Sequence, residues 1–327
     1  MTGGLLERLA AGPVLGDGGY LLEMEKRGYV RAGPFTPEVS LTNPHALAEL
    51  HREFLRAGAE VLQALTFYAS EDKLATVGLA DKVDEINRNA VRIAREVAAE
   101  GDALVAGNLS LTWVYDPKDP LSADRVREMF DRQLEVMTDV GIDLVIGETF
   151  SWVGEALIAL ERSKAVGIPV IITMSYEKEP RSYEGESPGE NARRLRDAGA
   201  DVVGVNCLRD PERTLPIAAE MRSAVDGLVA AQPVAYRVTE EQPDFTSLPG
   251  FPFALDPHQL PRQAMGAFAT KARDLGIDYI GSCCGSVAAH VRAMAQALGK
   301  LPMEEGEWRI DYERPMSAYE YYRHTDR

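Results

Sequence analysis

The chain has 327 residues and a formal charge of −16, from 35 lysines and arginines against 51 aspartates and glutamates. That acidic excess, without a basic cluster, would repel a phosphate backbone or an anionic leaflet, so no nucleic-acid and no membrane partner is expected. Hydrophobic residues at 45% and charged residues at 26% are ordinary globular composition, and the length fits two domains or one α/β barrel.

The N-terminus has no basic region followed by a long apolar run, so no signal peptide is expected. The first strand-like run is Pro13–Gly16, followed by Asn43-Pro44, a capping residue before a proline at the first helical position. A second run, Val61–Phe67, precedes a helix over 83–100 whose apolar residues Val83, Ile86, Ala90, Ile93, Ala94 and Val97 keep i, i+3, i+4 spacing. Ala103–Gly107 comes next, then a helix carrying Val126, Met129, Phe130, Leu134 and Met137 on one face. Asp143–Gly147 and Pro169–Thr173 lead to Ser187-Pro-Gly-Glu190, a capping box whose helix runs toward Gly199. Asp201–Asn206, Pro233–Tyr236 and Asp278–Gly281 complete eight short, nearly continuous apolar runs, the pattern of parallel strands buried on both faces. Eight strand–helix repeats predict the α/β class and a single-domain (β/α)₈ TIM barrel over 1–300. Residues 301–327 read as a short C-terminal tail, with Trp308, Tyr319, Tyr321 and Tyr322 as a candidate contact in a homo-oligomer.

In such a barrel the site lies at the carboxyl ends of the strands. Asp17, Thr66-Phe67-Tyr68, Asn108, Glu148, Asn206-Cys207 and Cys283-Cys284 fall there. All three cysteines of the chain thus share one face, and they converge if strands six and eight flank strand seven. An odd, small number of thiols points to a reducing, cytoplasmic setting. Three thiolates suit Zn²⁺ and leave one coordination position open, the catalytic pattern. Adjacent cysteines bridge each other only with strain, and Gly281 and Gly285 would let the backbone turn both sulfurs inward. The plain alternative is three small buried hydrophobes. An open zinc position beside Asp17 and Glu148 suits a substrate with both a thiol and an ammonium group, although strand-end carboxylates also cap helices.

These segments resemble the betaine–homocysteine S-methyltransferases of the zinc-dependent homocysteine methyltransferase family. The resemblance is carried by Gly16-Asp-Gly-Gly19, Leu22-Glu-Met-Glu-Lys-Arg-Gly-Tyr-Val-Arg-Ala-Gly-Pro34, His51-Arg-Glu-Phe-Leu-Arg-Ala-Gly58, Thr66-Phe-Tyr-Ala-Ser-Glu-Asp-Lys73, Gly101–Gly107, Gly204-Val-Asn-Cys207 and Gly281-Ser-Cys-Cys-Gly285, in unbroken order from about 13 to 298. It implies zinc on Cys207, Cys283 and Cys284, and homocysteine bound through its sulfur and through Asp17 and Glu148, with Asn206 assigned to the same site. A methyl group would pass from an onium donor, betaine above all, to the thiolate, giving methionine and dimethylglycine. The donor residues by resemblance are Tyr68, Phe35 and Thr149. Phe35 stands where the family has tryptophan and Thr149 where it has tyrosine, so the cation–π cage is smaller, with Trp113, Tyr115 and Trp152 as candidate replacements. A sulfonium donor, dimethylsulfoniopropionate or S-methylmethionine, is the alternative, and a non-catalytic zinc- or thiol-binding barrel is a second. The last loop could instead cradle a phosphate, but no lysine or arginine adjoins it before Arg292. Ser282 replaces a family glycine, a mild change at negative φ. The five histidines have no ligand spacing and read as helix-surface or loop residues, and Glu71-Asp72-Lys73 as charged loop.

Overall fold

A computed structural model describes residues 3–31 and 36–301. Eight parallel strands are present: β1 Val14–Leu15, β2 Val61–Gln63, β3 Leu104–Ser110, β4 Leu144–Phe150, β5 Val170–Met174, β6 Val202–Asn206, β7 Leu228–Gln232 and β8 Tyr279–Ile280. Their order is β1-β8-β7-β6-β5-β4-β3-β2, every neighbour parallel, so β7 does lie between β6 and β8. Each strand leads to an outer helix, from Pro44–Arg56 after β1 to Ala288–Ala297 after β8, which is the expected (β/α)₈ barrel. At the β1/β2 seam the strands touch through the Glu60 N–H, which donates to the Leu15 carbonyl, and through the Glu60 carboxylate, which accepts from the Leu15 N–H at 2.8 Å. One layer higher the Gln63 N–H donates to the Asp17 carboxylate at 2.7 Å. The seam is therefore held by side-chain acceptors, and the upper one is a predicted site residue.

Apolar positions sort as the strand pleat requires. Val61, Ala106, Leu144, Ile146, Ile171 and Val202 fill the barrel interior, closed at the bottom by Leu5 and Leu9 of the helix Leu5–Ala11. The alternate positions, among them Leu62, Val105, Val145, Ile172 and Val203, pack outward against the helices. The helix Val83–Ala98 buries all six residues of its expected stripe. Four outer helices begin with proline, behind Asn43, Asp119, Ser187 and Asp210. Ser187 and Glu190 form the expected capping box. Asp119 and Asp210 cap with their carboxylates, whereas Asn43 caps through its carbonyl and turns its amide to Thr42 instead.

One strand lies elsewhere than expected. Pro233–Tyr236 is not β7 but the segment after it, because Pro233 has no N–H for a central ladder and Leu228–Gln232 supplies the paired run. Two histidines are also buried rather than on the surface, His51 at 0% exposure and His290 at 4%. His290 accepts the Val287 N–H and faces the Leu260 carbonyl, which fixes it inside the helix start. The expected tail contact at 301–327 lies, from 302 onward, outside the described residues.

Candidate metal centre

At the end of β6 the chain places Cys207 and Leu208 in the left-handed region, at φ +58° and +54°. For residues with a side chain this costs of order 1–3 kcal/mol each and persists only where the surroundings enforce it. Here they do: the Cys207 N–H donates to Gln232 at the end of β7, and Leu208 offers its carbonyl to Phe245. Pro233–Ala235 then ties the loop after β8 to the same spot, since the Pro233 carbonyl accepts from Cys283 and the Ala235 N–H donates to Cys284. Gly285 turns at φ +78°, where a Cβ would strike the Tyr236 ring at 2.5 Å. Ser282 is not left-handed, and its hydroxyl donates to the Asp17 carbonyl, so the exchange for glycine is indeed mild.

These turns bring the sulfurs of Cys207, Cys283 and Cys284 within 4.8 Å of one another. No disulfide links them, and Cys207 lies 3.9 Å from Cys284. Tetrahedral thiolates about ~2.3 Å from one ion stand ~3.8 Å apart, so the cluster fits a thiophilic cation with little movement. Hydrogen bonds among the sulfurs act in opposing directions on each thiol, and with burial and the neighbouring charge added all three lie well above their usual range. A bound cation is what would ionise all three together.

Asp17 and Glu148 line the same cleft, with Gly18, Gly19, Gln63 and Gln232. Asp17 accepts from the Tyr20 hydroxyl at 2.5 Å as well as from Gln63. Because that hydroxyl's one proton goes to Asp17, Tyr20 accepts from Nδ1–H of His51 at 2.8 Å, and burial keeps that imidazole neutral, with Nε2 unpartnered among the described residues. Glu148 accepts from Gln63 at 2.5 Å, Asn108 at 2.6 Å and Asn206 at 2.8 Å. Burial raises both carboxyls to about 7, and for Asp17 the nearby Glu148 charge adds to it. Two such groups in one dry cleft call for a cationic guest.

Asn206 does not line the cleft. It is fully buried, and its amide is committed to Glu148, Thr149 and Thr173. Thr149 is itself left-handed at φ +65°, where the β4/β5 register shifts, and its hydroxyl accepts from Asn206. Tyr68, at φ +63°, donates its N–H to Ser110, and burial with the sulfurs of Cys207, Cys284 and Cys283 raises its hydroxyl above the usual range. Among the described residues, the four left-handed ones that carry a side chain, Tyr68, Thr149, Cys207 and Leu208, thus ring this end of the barrel. Phe35 lies outside the described residues. Of the three loop aromatics, Trp113 stands 6.2 Å from Tyr68, while Tyr115 and Trp152 pair with each other.

Lys73 departs from its expected place in an exposed charged loop. The helix Glu71–Ala75 buries it completely, with Nζ 4.4 Å from the Tyr68 ring centre and 3.3 Å from that of Trp113. Nothing in the sequence marks it, nor the Tyr20–His51 link or Gln63, since their roles come from burial between distant segments.

The homocysteine S-methyltransferase family model matches residues 14–298. Betaine–homocysteine S-methyltransferase 1 of Xenopus laevis is 46% identical over 326 residues, covering 93% of this chain and 79% of its own length, and that of Danio rerio is 47% identical over 321 residues, covering 93% and 80%. The S-methylmethionine–homocysteine S-methyltransferase BHMT2 of Pongo abelii is 40% identical over 319 residues, covering 93% and 86%. Among solved structures, the metallated homocysteine methyltransferase MmuM of Escherichia coli superposes with a TM-score of 0.70, 19% identity, 87% of this chain and 96% of its own, a likeness of fold.

Proposed function

The chain belongs to the homocysteine S-methyltransferase family, and from that premise we propose that it transfers a methyl group from an onium donor, betaine in the first place, to homocysteine. The observation that carries this reading is one cleft holding three convergent thiols and two buried carboxyls poised near neutrality. Cys207, Cys283 and Cys284 would hold Zn²⁺. Zinc bound there supplies Lewis acidity that keeps a substrate thiol ionised at neutral pH. Asp17 and Glu148 would take the homocysteine ammonium between them, each by a charge-assisted hydrogen bond. Gln63 donates to both carboxylates and fixes their spacing, and Asn206 acts through Glu148 rather than on substrate. Tyr68, Thr149 and Phe35 would border the donor. A dry cleft favours the step, because a cation and a thiolate neutralise each other as the methyl group moves.

The acidic cleft disfavours a phosphate on the last loop. A sulfonium donor is the second reading, supported by Thr149, whose hydroxyl is engaged with Asn206 where the family offers a tyrosine ring. The free thiols fit a reducing, cytoplasmic compartment, and the segment 301–327 would carry any subunit contact. No helix among the described residues is long and apolar enough to cross a membrane. The test is methionine formation by the zinc-loaded chain from homocysteine with betaine, dimethylsulfoniopropionate or S-methylmethionine. Turnover with betaine is expected; turnover with a sulfonium alone would move the assignment to the second reading. A protein that binds zinc and homocysteine but makes methionine from none of the three would be the non-catalytic barrel.

A further inference from the structure

The Lys73 ammonium is fully buried, yet Nζ has no hydrogen-bond acceptor among the described residues. Among the described residues its contacts are with two ring faces, those of Tyr68 and Trp113. The nearest acids are otherwise engaged. Asp72 accepts from the Trp113 N–H at 2.8 Å and the Ser70 hydroxyl at 2.5 Å, and Glu155 accepts from the Thr112 N–H at 2.7 Å and hydroxyl at 2.6 Å. A buried ammonium without an acceptor is costly, and native proteins keep one where a ligand completes it. The placement says which ligand. Lys73 follows β2, Trp113 follows β3 and Glu155 opens the helix after β4, so all three lie at the barrel mouth that holds the cysteines. Tyr68 has the ammonium against its ring and the thiol sulfurs near its hydroxyl.

We propose that Lys73 binds the carboxylate of the methyl donor, so that this chain selects zwitterionic donors, with the onium centre toward Tyr68 and the cysteines and the carboxylate on the Lys73 ammonium. This rests on the methyltransferase reading above. A bare onium cation would share the Tyr68 ring with an amine whose pKa burial has lowered to about 7, and would bring no anion to keep that amine charged. A zwitterion neutralises the ammonium as it arrives, and its carboxylate satisfies the unpartnered N–H groups. Trp113, 57% exposed, is the outer cover over the ammonium, past which the carboxylate enters.

The test compares the zinc-loaded wild type with Lys73→Met, which keeps length and apolar packing, on two donor classes. Betaine and dimethylsulfoniopropionate carry a carboxylate; trimethylsulfonium does not. Lys73→Met should lower kcat/KM for the first two by about 30-fold, chiefly through KM, as expected for a charge-assisted hydrogen bond, and leave trimethylsulfonium within about threefold. Lys73→Arg should recover part of the loss. Calorimetric binding of betaine and of tetramethylammonium gives the same comparison without turnover: betaine binding should weaken in Lys73→Met and tetramethylammonium should not. An equal loss for both classes would make Lys73 a structural strut and overturn the proposal, as would no loss for betaine. A wild type that binds betaine but yields no methionine would overturn the methyltransferase reading instead, and this proposal with it.

Discussion

Asp17 and Glu148 are carboxyls whose charge is set by what lies between them. Both sit at about 7, raised by burial, so below that pH the proton stays on and neither meets a substrate ammonium with a negative charge. The KM for homocysteine is therefore expected to rise as pH falls through about 7 and to level off above it. Glu148→Gln should raise that KM by about 10- to 100-fold at pH 8, the worth of a charge-assisted hydrogen bond, with a smaller change in donor KM. A KM for homocysteine flat from pH 6 to 8 would remove the pair from the ammonium site. The same locality governs the metal: Cys207→Ala leaves two thiols, and metal analysis after gel filtration should find under about a tenth of the wild-type zinc. Asp17, Glu148, Cys207, Cys283 and Cys284 are legible in the sequence because each follows a recognisable apolar run. Tyr20, Gln63, His51 and Lys73 are not, because a tyrosine, a glutamine, a histidine and a lysine carry no periodic signal of their own. Only packing between segments up to 85 positions apart, as with Gln63 and Glu148, gives them partners.

Elements owe their boundaries to short-range chemistry, and here local rules succeed or fail for visible reasons. The Ser187-Pro-Gly-Glu190 box reads correctly because both capping bonds lie within four residues. Ser187→Ala should cost about 1 kcal/mol in a denaturant titration and leave methyl transfer unchanged, since the cap's hydrogen bonds are exposed and Ser187 does not line the cleft. Asp210 is a different kind of cap. It accepts from Arg213 N–H and also from the Val238 N–H in the segment after β7, and it is 3% exposed. Asp210→Ala should cost more, about 2–3 kcal/mol, because the Val238 N–H is left buried without an acceptor. It should also weaken zinc retention, because Val234 hangs from Arg209 beside it and the residues on either side, Pro233 and Ala235, hold Cys283 and Cys284. Equal destabilisation by the two substitutions would refute that distinction. The displacement of β7 has the same origin: Pro233–Tyr236 has a strand's composition, but its hydrogen bonds go to three neighbouring segments, at Arg209, Leu260 and Cys283-Cys284, instead of a strand ladder.

At the scale of the molecule, strand ladders run around most of the barrel and two further ties involve side chains, one at the β1/β2 seam and one at the cysteine cluster. The second draws together β6 and β8, strands separated in the sheet by β7 and in the sequence by more than seventy residues. Without a cation, three buried thiols and two buried carboxyls crowd one end of a chain of charge −16. Both features oppose folding, and a divalent cation relieves both, by ionising the thiols into ligands and by offsetting charge. Metal binding should then report on global stability as well as on activity. A site filled at a thousandfold over its Kd adds about 4 kcal/mol, which for a chain of this size corresponds to roughly 6 °C in Tm. Chelation should lower Tm by about that amount and zinc should restore it. Cys207→Ala, in which two thiols remain, should start near the chelated value and respond to neither treatment. A wild-type Tm indifferent to chelation, with zinc shown to have left, would mean that the cluster is preorganised by the strained turns at Cys207 and Leu208 alone, and that the metal serves chemistry without holding β6 to β8.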